Sequence, residues 1–127
     1  MEDRRERGIR WLYDSKKRLL GFPKDVRIQI GYALSEAQKG RKAGFSKPMS
    51  GLGAGVFEIV ADHDGDTYRS VYALKLGEDI YVLHAFQKKS TTGIKTPKPD
   101  LDLIRSRLSR LTQDLARAKK DAKGMTK

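Results

Sequence analysis

The first half of the chain shows one alternating segment followed by two segments with helical spacing. Gly8–Tyr13 alternates loosely and is rich in strand-forming residues, so it predicts a short first β-strand. A short basic helix, Lys16–Leu20, follows, with Asp14 or Ser15 as its N-cap. Gly21 ends this helix.

A second helix is predicted between Pro23 and Gly40, because proline suits a first turn and glycine ends helices. Its apolar residues recur every three or four positions and define one buried face: Val26, Ile30, Ala33, Leu34 and Ala37. Residues 41–55, which contain several glycines, predict a loop.

Three strands and a closing helix are predicted for the second half. The strands are Val56–His63, Asp66–Lys75 and Ile80–Phe86, joined by turns at Asp64-Gly65 and at residues 76–79. A polar loop, residues 87–99, leads to Asp100, which can cap the last helix. The apolar stripe of that helix consists of Leu101, Ile104, Leu108, Leu111 and Leu115.

The order β-α-α-β-β-β-α predicts an α+β fold with a mostly antiparallel sheet, two N-terminal helices and a C-terminal helix. Residues 1–120 are interpreted as a single domain and residues 121–127 as a frayed basic tail. The turns also predict the strand register: Val60 lies opposite Arg69, and Lys75 lies opposite Ile80.

This register divides the strand residues between the two faces of the sheet. One face is expected to hold Glu58, Val60, Arg69, Val71, His84 and Phe86. The other is expected to hold the more apolar set of Phe57, Ile59, Tyr68, Ser70, Tyr72, Tyr81 and Leu83, which suits helix packing. Tyr72 is therefore expected to pack in the core rather than to stack on a base.

Composition narrows the possible functions. The 127 residues carry a net charge of +11 and no cysteine, which excludes disulfides, thiolate metal sites and a cysteine nucleophile. Residues 1–50 hold 13 basic and 6 acidic side chains and residues 101–127 hold 8 and 3, whereas residues 51–100 hold 6 and 7. Basic ends favour a polyanionic partner such as RNA, DNA or the ribosome. No signal peptide or membrane span is visible, so a soluble cytoplasmic protein is expected.

Two short motifs suggest ligand sites but fail on context. Residues 51–55 resemble a nucleotide-binding glycine loop, yet they precede a strand instead of joining a strand to a helix. Residues 62–66 resemble a calcium loop, yet the glycine is at the wrong position and Ala73 occupies the place of the closing glutamate. We therefore predict no metal site and no cofactor.

Four further stretches together resemble the phage-derived, HigB-like branch of the RelE/ParE toxin superfamily. They are residues 47–53, 67–72, 83–90 and 96–100, of which the Phe-Gln-Lys-Lys run at 86–89 is the most specific. The resemblance implies a RelE-like fold and the toxin of a type II toxin–antitoxin pair. Its partner would be a helix-turn-helix antitoxin encoded by a neighbouring gene. RelE-like members cut mRNA on the ribosome without a metal, and the ribose 2′-hydroxyl attacks the adjacent phosphate.

The resemblance also assigns roles to individual residues. Arg69 matches a strand arginine that contacts the scissile phosphate, and a structural ion pair with Glu58 is the alternative. Lys88 and Lys89 match basic catalytic residues, although a lysine pair is also typical of an ordinary basic loop. His84 could shuttle a proton near neutral pH, or it could be a buried hydrogen-bonded histidine.

The predicted RNA-binding residues are Lys47, Arg105 and Arg110. Lys47 in its loop contacts the RNA backbone or is merely solvated, and the two arginines extend the basic surface onto the last helix. The predicted function is a ribosome-dependent, metal-independent mRNA endonuclease. The alternative is a non-nuclease member of the fold, either a gyrase poison or a phage-derived regulatory binding protein.

Overall fold

The computed structural model describes residues 6–53, 55–88 and 96–125, and the side chains within them up to residue 122. Its helices are α1 (Ser15–Leu20), α2 (Lys24–Gln38) and α3 (Lys98–Met125), and its strands are β1 (Ile9–Trp11), β2 (Ser46–Pro48), β3 (Val56–His63), β4 (Asp66–Ala73) and β5 (Ile80–Lys88). The α+β class and the mostly antiparallel sheet are confirmed. Helix α3 runs on beyond residue 120, into the segment for which the sequence predicts a frayed tail.

The sheet has the strand order β1-β5-β4-β3-β2, in which only the pairing of β1 with β5 is parallel. Strand β2 was missed by the sequence pattern, which predicts a loop over residues 41–55. This edge strand pairs with β3. It has only three residues, which are too few for an alternating pattern to reveal a strand.

The two faces of the sheet are covered by different helices. Helices α1 and α2 cover one face, where the predicted apolar face of α2 is fully buried against Ile59, Tyr72 and Val82. Helix α3 covers part of the other face, where Ile104 and Leu111 pack against Val56, Ala73 and Leu83. Four of the five residues of the predicted apolar stripe therefore pack on the sheet: Ile104, Leu108, Leu111 and Leu115.

A register shift between Val71 and Tyr72 corrects part of the predicted register. Because β5 accommodates an extra residue there, Tyr72 lies opposite Val82, and β4 ends at Ala73. The predicted pairing of Lys75 with Ile80 is wrong, since Lys75 lies beyond the strand. Tyr81 and Leu83 consequently belong to the cluster packed under α3, not to the face covered by α1 and α2.

None of the helices in the described part of the chain combines the length and apolar character that crossing a bilayer requires.

Candidate functional site

The predicted grouping of chemical side chains on one sheet face is confirmed. Val60 lies opposite Arg69 and Arg69 opposite Phe86, while Glu58 lies opposite Val71 and Val71 opposite His84. Directly opposed residues point to the same face. Lys47 joins this face because it lies opposite Glu58, and Lys88 joins it because it lies opposite Thr67. We call Lys47, Glu58, Arg69 and Lys88 the sheet-face site.

Arg69 and Glu58 form a buried ion pair at the centre of this site. Arg69 Nη1 lies 2.9 Å from Glu58 Oε1, and the two residues are 5% and 7% exposed. Thr96 donates a hydrogen bond of 2.9 Å to the other carboxylate oxygen of Glu58, so β3, β4 and the residues leading into α3 meet here. The ion pair named as the alternative for Arg69 is therefore present. A guanidinium that is only 5% exposed needs such a partner, because an unpaired buried charge is costly.

The two lysines stand at the margins of the site. Lys47 is exposed on the edge strand β2, not in a loop as the pattern predicts, and it points to the same face as the carboxylate of Glu58. Lys88 is the last residue of β5, is partly exposed, and accepts a hydrogen bond from the Thr67 hydroxyl at its carbonyl. Lys89 lies outside the described residues.

His84 is fully buried beneath α3, with hydrogen-bond partners at both ring nitrogens. Nε2 lies 2.8 Å from Asp100 Oδ1, and Nδ1 lies 3.4 Å from Arg107 Nη1. Since the arginine N–H can only donate, Nδ1 accepts and Nε2–H donates to Asp100. Desolvation is the main cause that lowers the pKa of His84, and the hydrogen bond that His84 donates to Asp100 opposes it. Of the two alternatives for His84, a proton shuttle or a buried hydrogen-bonded histidine, the structure contains the second.

Two acidic residues expected as helix caps have other partners. Asp14 precedes α1 but makes no side-chain cap; its carboxylate accepts hydrogen bonds from Arg18 and Arg107. Asp100 lies within the first turn of α3 and holds His84. Arg107 also donates to the carbonyl of Leu83 at 2.8 Å. This network, which the sequence did not reveal, ties α3 to β5 and to the start of α1.

The remaining predicted RNA contacts, Arg105 and Arg110, are exposed on α3. Arg105 lies beside the glycine loop at Gly51, and Arg110 makes an exposed ion pair with Asp114 one helical turn away, at 3.3 Å. Both arginines belong to α3, whereas the sheet-face site is built on strands β2 to β5. Within the same ranges, no group of three or more acidic or histidine side chains is placed to hold a metal ion.

His63, the other histidine, connects the β3–β4 turn to the first turn of α2. Its Nδ1 lies 2.7 Å from Asp25 Oδ2, and its Nε2 lies 3.2 Å from Asp64 Oδ2. The hydrogen bond to Asp25 is the main cause that raises the pKa of His63. The turn expected at residues 64 and 65 is confirmed, since His63 lies opposite Asp66.

This raised pKa predicts a pH-dependent contribution to stability. The folded state keeps the His63 proton to a higher pH than the unfolded chain, whose histidine pKa is about 6.5. The contribution is therefore complete below that value and is lost as the pH rises through the folded-state pKa. We expect the stability difference between wild type and His63→Asn, from urea unfolding, to shrink as the pH rises from about 5.5 to about 8.5. A difference that stays constant or grows with pH would contradict this assignment. Because His84 is present in both proteins, its titration cancels from the difference.

The three helices and the five-stranded, mostly antiparallel sheet form an α+β architecture consistent with a RelE-like fold. A family model described as phage-derived protein Gp49-like (DUF891) matches residues 17–109, which is well over half of the chain, so the chain belongs to the Gp49-like family. This is a toxin-like family of the RelE/HigB type. No curated protein matches the chain closely enough to count as a relative.

Proposed function

We propose that this protein is the toxin of a type II toxin–antitoxin pair, in the HigB-like branch, and that it cleaves mRNA on the ribosome without a metal. The observation that carries the proposal is the sheet-face site. There, cations from three strands, Lys47, Arg69 and Lys88, share one face with two carboxylates: Glu58, which is paired with Arg69, and the exposed Asp62. A strand face with three cations and a buried arginine–glutamate pair suits a phosphodiester, whose cleavage needs charge stabilisation and proton transfer.

The burial of each residue suggests how the roles are divided. Lys47 stands at the exposed margin of the site, so we assign it to the RNA backbone. Arg69, fixed by Glu58, supplies positive charge for the transition state. Proton transfer to or from the 2′-hydroxyl is assigned to Lys88 with Lys89. His84 is assigned a positioning role, since both its nitrogens hold α3 to the sheet.

One observation favours the second candidate function, a non-nuclease toxin that poisons gyrase or a regulatory binding protein. Two of the predicted catalytic residues have partners inside the protein, since Arg69 is paired with Glu58 and His84 with Asp100. A binding protein would need no residue free for chemistry, so both could then serve the fold alone.

The decisive experiment expresses the protein with and without its neighbouring gene and maps mRNA 5′ ends. We expect ribosome-dependent cleavage in the absence of that gene, with no added transition metal. Lys88→Ala should lower the cleavage rate by about 100-fold, as loss of a general acid or base does. Lys39→Ala is the matched control, because Lys39 is an exposed lysine at the end of α2. Unchanged 5′ ends together with inhibited DNA supercoiling would favour the gyrase poison.

The same experiment tests the proposed partner. We propose that the neighbouring gene encodes a helix-turn-helix antitoxin with an acidic segment that covers the basic surface of this +11 chain. Coexpression should then abolish cleavage and restore growth. Continued cleavage in the presence of that protein would rule it out as the antitoxin.

A further inference from the structure

A second surface with unexplained features lies at the corner between β1 and α1. Tyr13, in this corner, has a backbone φ of 54° and a side chain that is largely in solvent, the residue being 63% exposed. Positive φ is uncommon outside glycine, and residues held in this region often belong to functional sites. The sheet-face site makes no use of Tyr13.

One face of the Tyr13 ring packs against a cation. The guanidinium carbon of Arg107 lies 4.8 Å from the ring centroid, and Arg107 is itself anchored to Asp14 and to the carbonyl of Leu83. A cation on one side of the ring leaves the other side to solvent. The contact favours one orientation of the ring before any ligand binds, which reduces the entropy lost on binding.

The corner also carries an excess of positive charge. Asp14 receives Arg18 Nε at 2.7 Å and Arg107 Nη2 at 2.8 Å, so one carboxylate orients two guanidinium groups. The hydrogen bond from Arg18, followed by that from Arg107, lowers the pKa of Asp14 to about 2, and the carboxylate remains ionised at neutral pH. Lys17 adds another exposed cation on the same helix.

A cleft of about 550 Å³ continues from this corner towards the sheet. Its lining includes Lys17, Arg18 and Phe22, together with the small exposed parts of Tyr68 and Phe86, which are 8% and 3% exposed. Its volume falls within the range of about 300–1,000 Å³ that is typical of small-ligand pockets. Cations beside aromatic rings match the phosphates and bases of a nucleotide chain.

We propose that this corner binds single-stranded RNA, with Tyr13 stacked on an unpaired base, Lys17 and Arg18 on the adjacent phosphate, and the next nucleotide in the cleft. The strand must be single, because a base can reach an aromatic side chain only when it is unstacked from its neighbours. The choice of RNA as the polyanion rests on the proposed function, whereas binding at this corner does not require that the protein cleave RNA.

The stacking contact is tested by fluorescence anisotropy with a short fluorescein-labelled single-stranded RNA, in the absence of ribosomes. Tyr13→Ala should weaken binding roughly 5- to 100-fold, as loss of base stacking on an aromatic does. Tyr13→Phe keeps the ring and should bind as wild type does. Tyr32→Ala is the matched control, since Tyr32 is 55% exposed on α2, and it should also bind as wild type does. Equal binding by Tyr13→Ala and wild type would overturn the proposal.

The phosphate contact is tested by the salt dependence of the same binding. Each lost phosphate contact lowers the slope of log affinity against log salt by about 0.7 for a single strand. Lys17→Gln should show this decrease, and Lys16→Gln should not, because Lys16 is a neighbouring exposed lysine that does not line the cleft. Equal effects of the two variants, or equal competition by an RNA duplex or by polyglutamate, would overturn the proposal.

These outcomes are distinct from failure of the proposed function. Tyr13-dependent binding without any change in mRNA 5′ ends would retain the RNA surface and exclude the nuclease. Ribosome-dependent cleavage by wild type, with RNA binding that ignores Tyr13 and Lys17, would retain the nuclease and exclude this surface.

Discussion

Replacing Arg69 by alanine is expected to destabilise the fold by about 3–5 kcal/mol, the usual cost of breaking a buried ion pair from one side. The change removes the guanidinium 2.9 Å from Glu58 Oε1 and leaves that carboxylate 7% exposed with only Thr96 as a described donor. Domains of this size have about 5–15 kcal/mol of stability, so a large share would be lost. Urea unfolding followed by the fluorescence of Trp11, the single tryptophan, measures it. A loss under about 1 kcal/mol would show that the pair is not effectively buried.

Because a destabilised protein also loses activity, Arg69→Ala alone cannot test the catalytic role. The double variant Glu58→Leu, Arg69→Met removes both charges and keeps side chains of similar length. Replacing a buried pair by apolar residues is often neutral, so this variant should unfold near the wild-type urea concentration. If Arg69 stabilises the transition state, cleavage should still fall about 100- to 1,000-fold. Wild-type cleavage by the folded double variant would make the pair purely structural.

Replacing Arg107 by alanine is expected to cost roughly 2–4 kcal/mol, since hydrogen bonds to charged groups contribute about 1.5–3 kcal/mol each and are not additive. The side chain is 11% exposed and donates to Leu83 O and Asp14, and it lies against the Tyr13 ring. Its loss removes the polar contacts that tie α3 to Leu83 and Asp14, while Ile104 and Leu111 still pack on the sheet. Urea unfolding measures the cost in stability. Relative to wild type, amide hydrogen exchange in the variant should accelerate more in α3 than in α2.

Arg110→Ala is the control for this prediction, because it removes the same group from the same helix at a solvent-exposed position. Its ion pair with Asp114 is exposed at both partners, 66% and 53%, and such pairs contribute little, about 0.3–0.5 kcal/mol. Equal losses for Arg107→Ala and Arg110→Ala would mean that the network at β5 does not hold α3.

The two predictions have different consequences for function. The Arg69–Glu58 pair belongs to the sheet-face site, so its removal affects the proposed chemistry directly. The Arg107 network holds α3 and orients Tyr13, and its removal should therefore weaken RNA binding at the corner as well as stability. His84 belongs to the Arg107 network. Buried and neutral, it connects the sheet to Asp100 without contributing charge of its own.

Local sequence pattern determined much of the fold. The apolar spacing in α2 and α3, the Asp64-Gly65 turn and the length of β3 were all predicted, because each depends on residues that are close in sequence. The turn also determined which residues share a face, so Glu58, Arg69 and His84 were placed together from the sequence alone.

Other features depended on contacts that no local pattern records. The register shift after Val71 moved Tyr81 and Leu83 to the face under α3, since an extra residue in a strand changes the facing of every residue beyond it. Strand β2 exists only through its pairing with β3. The sequence identified Arg69 and His84 as polar residues within strands but could not tell whether they were exposed or internally paired.

The sequence alone therefore determined the α+β order of helices and strands and the strongly basic character of the protein. It also determined that a glutamate, an arginine and a histidine share one sheet face. Tertiary structure alone decided the partners of those charges. Asp14 and Asp100, both expected as helix caps, instead bind Arg107 and His84, and Asp14 and Arg107 are 93 positions apart. Such pairings arise because a buried charge without a partner is costly. Which residue becomes the partner depends on the packing of helix on sheet, which no local sequence pattern records.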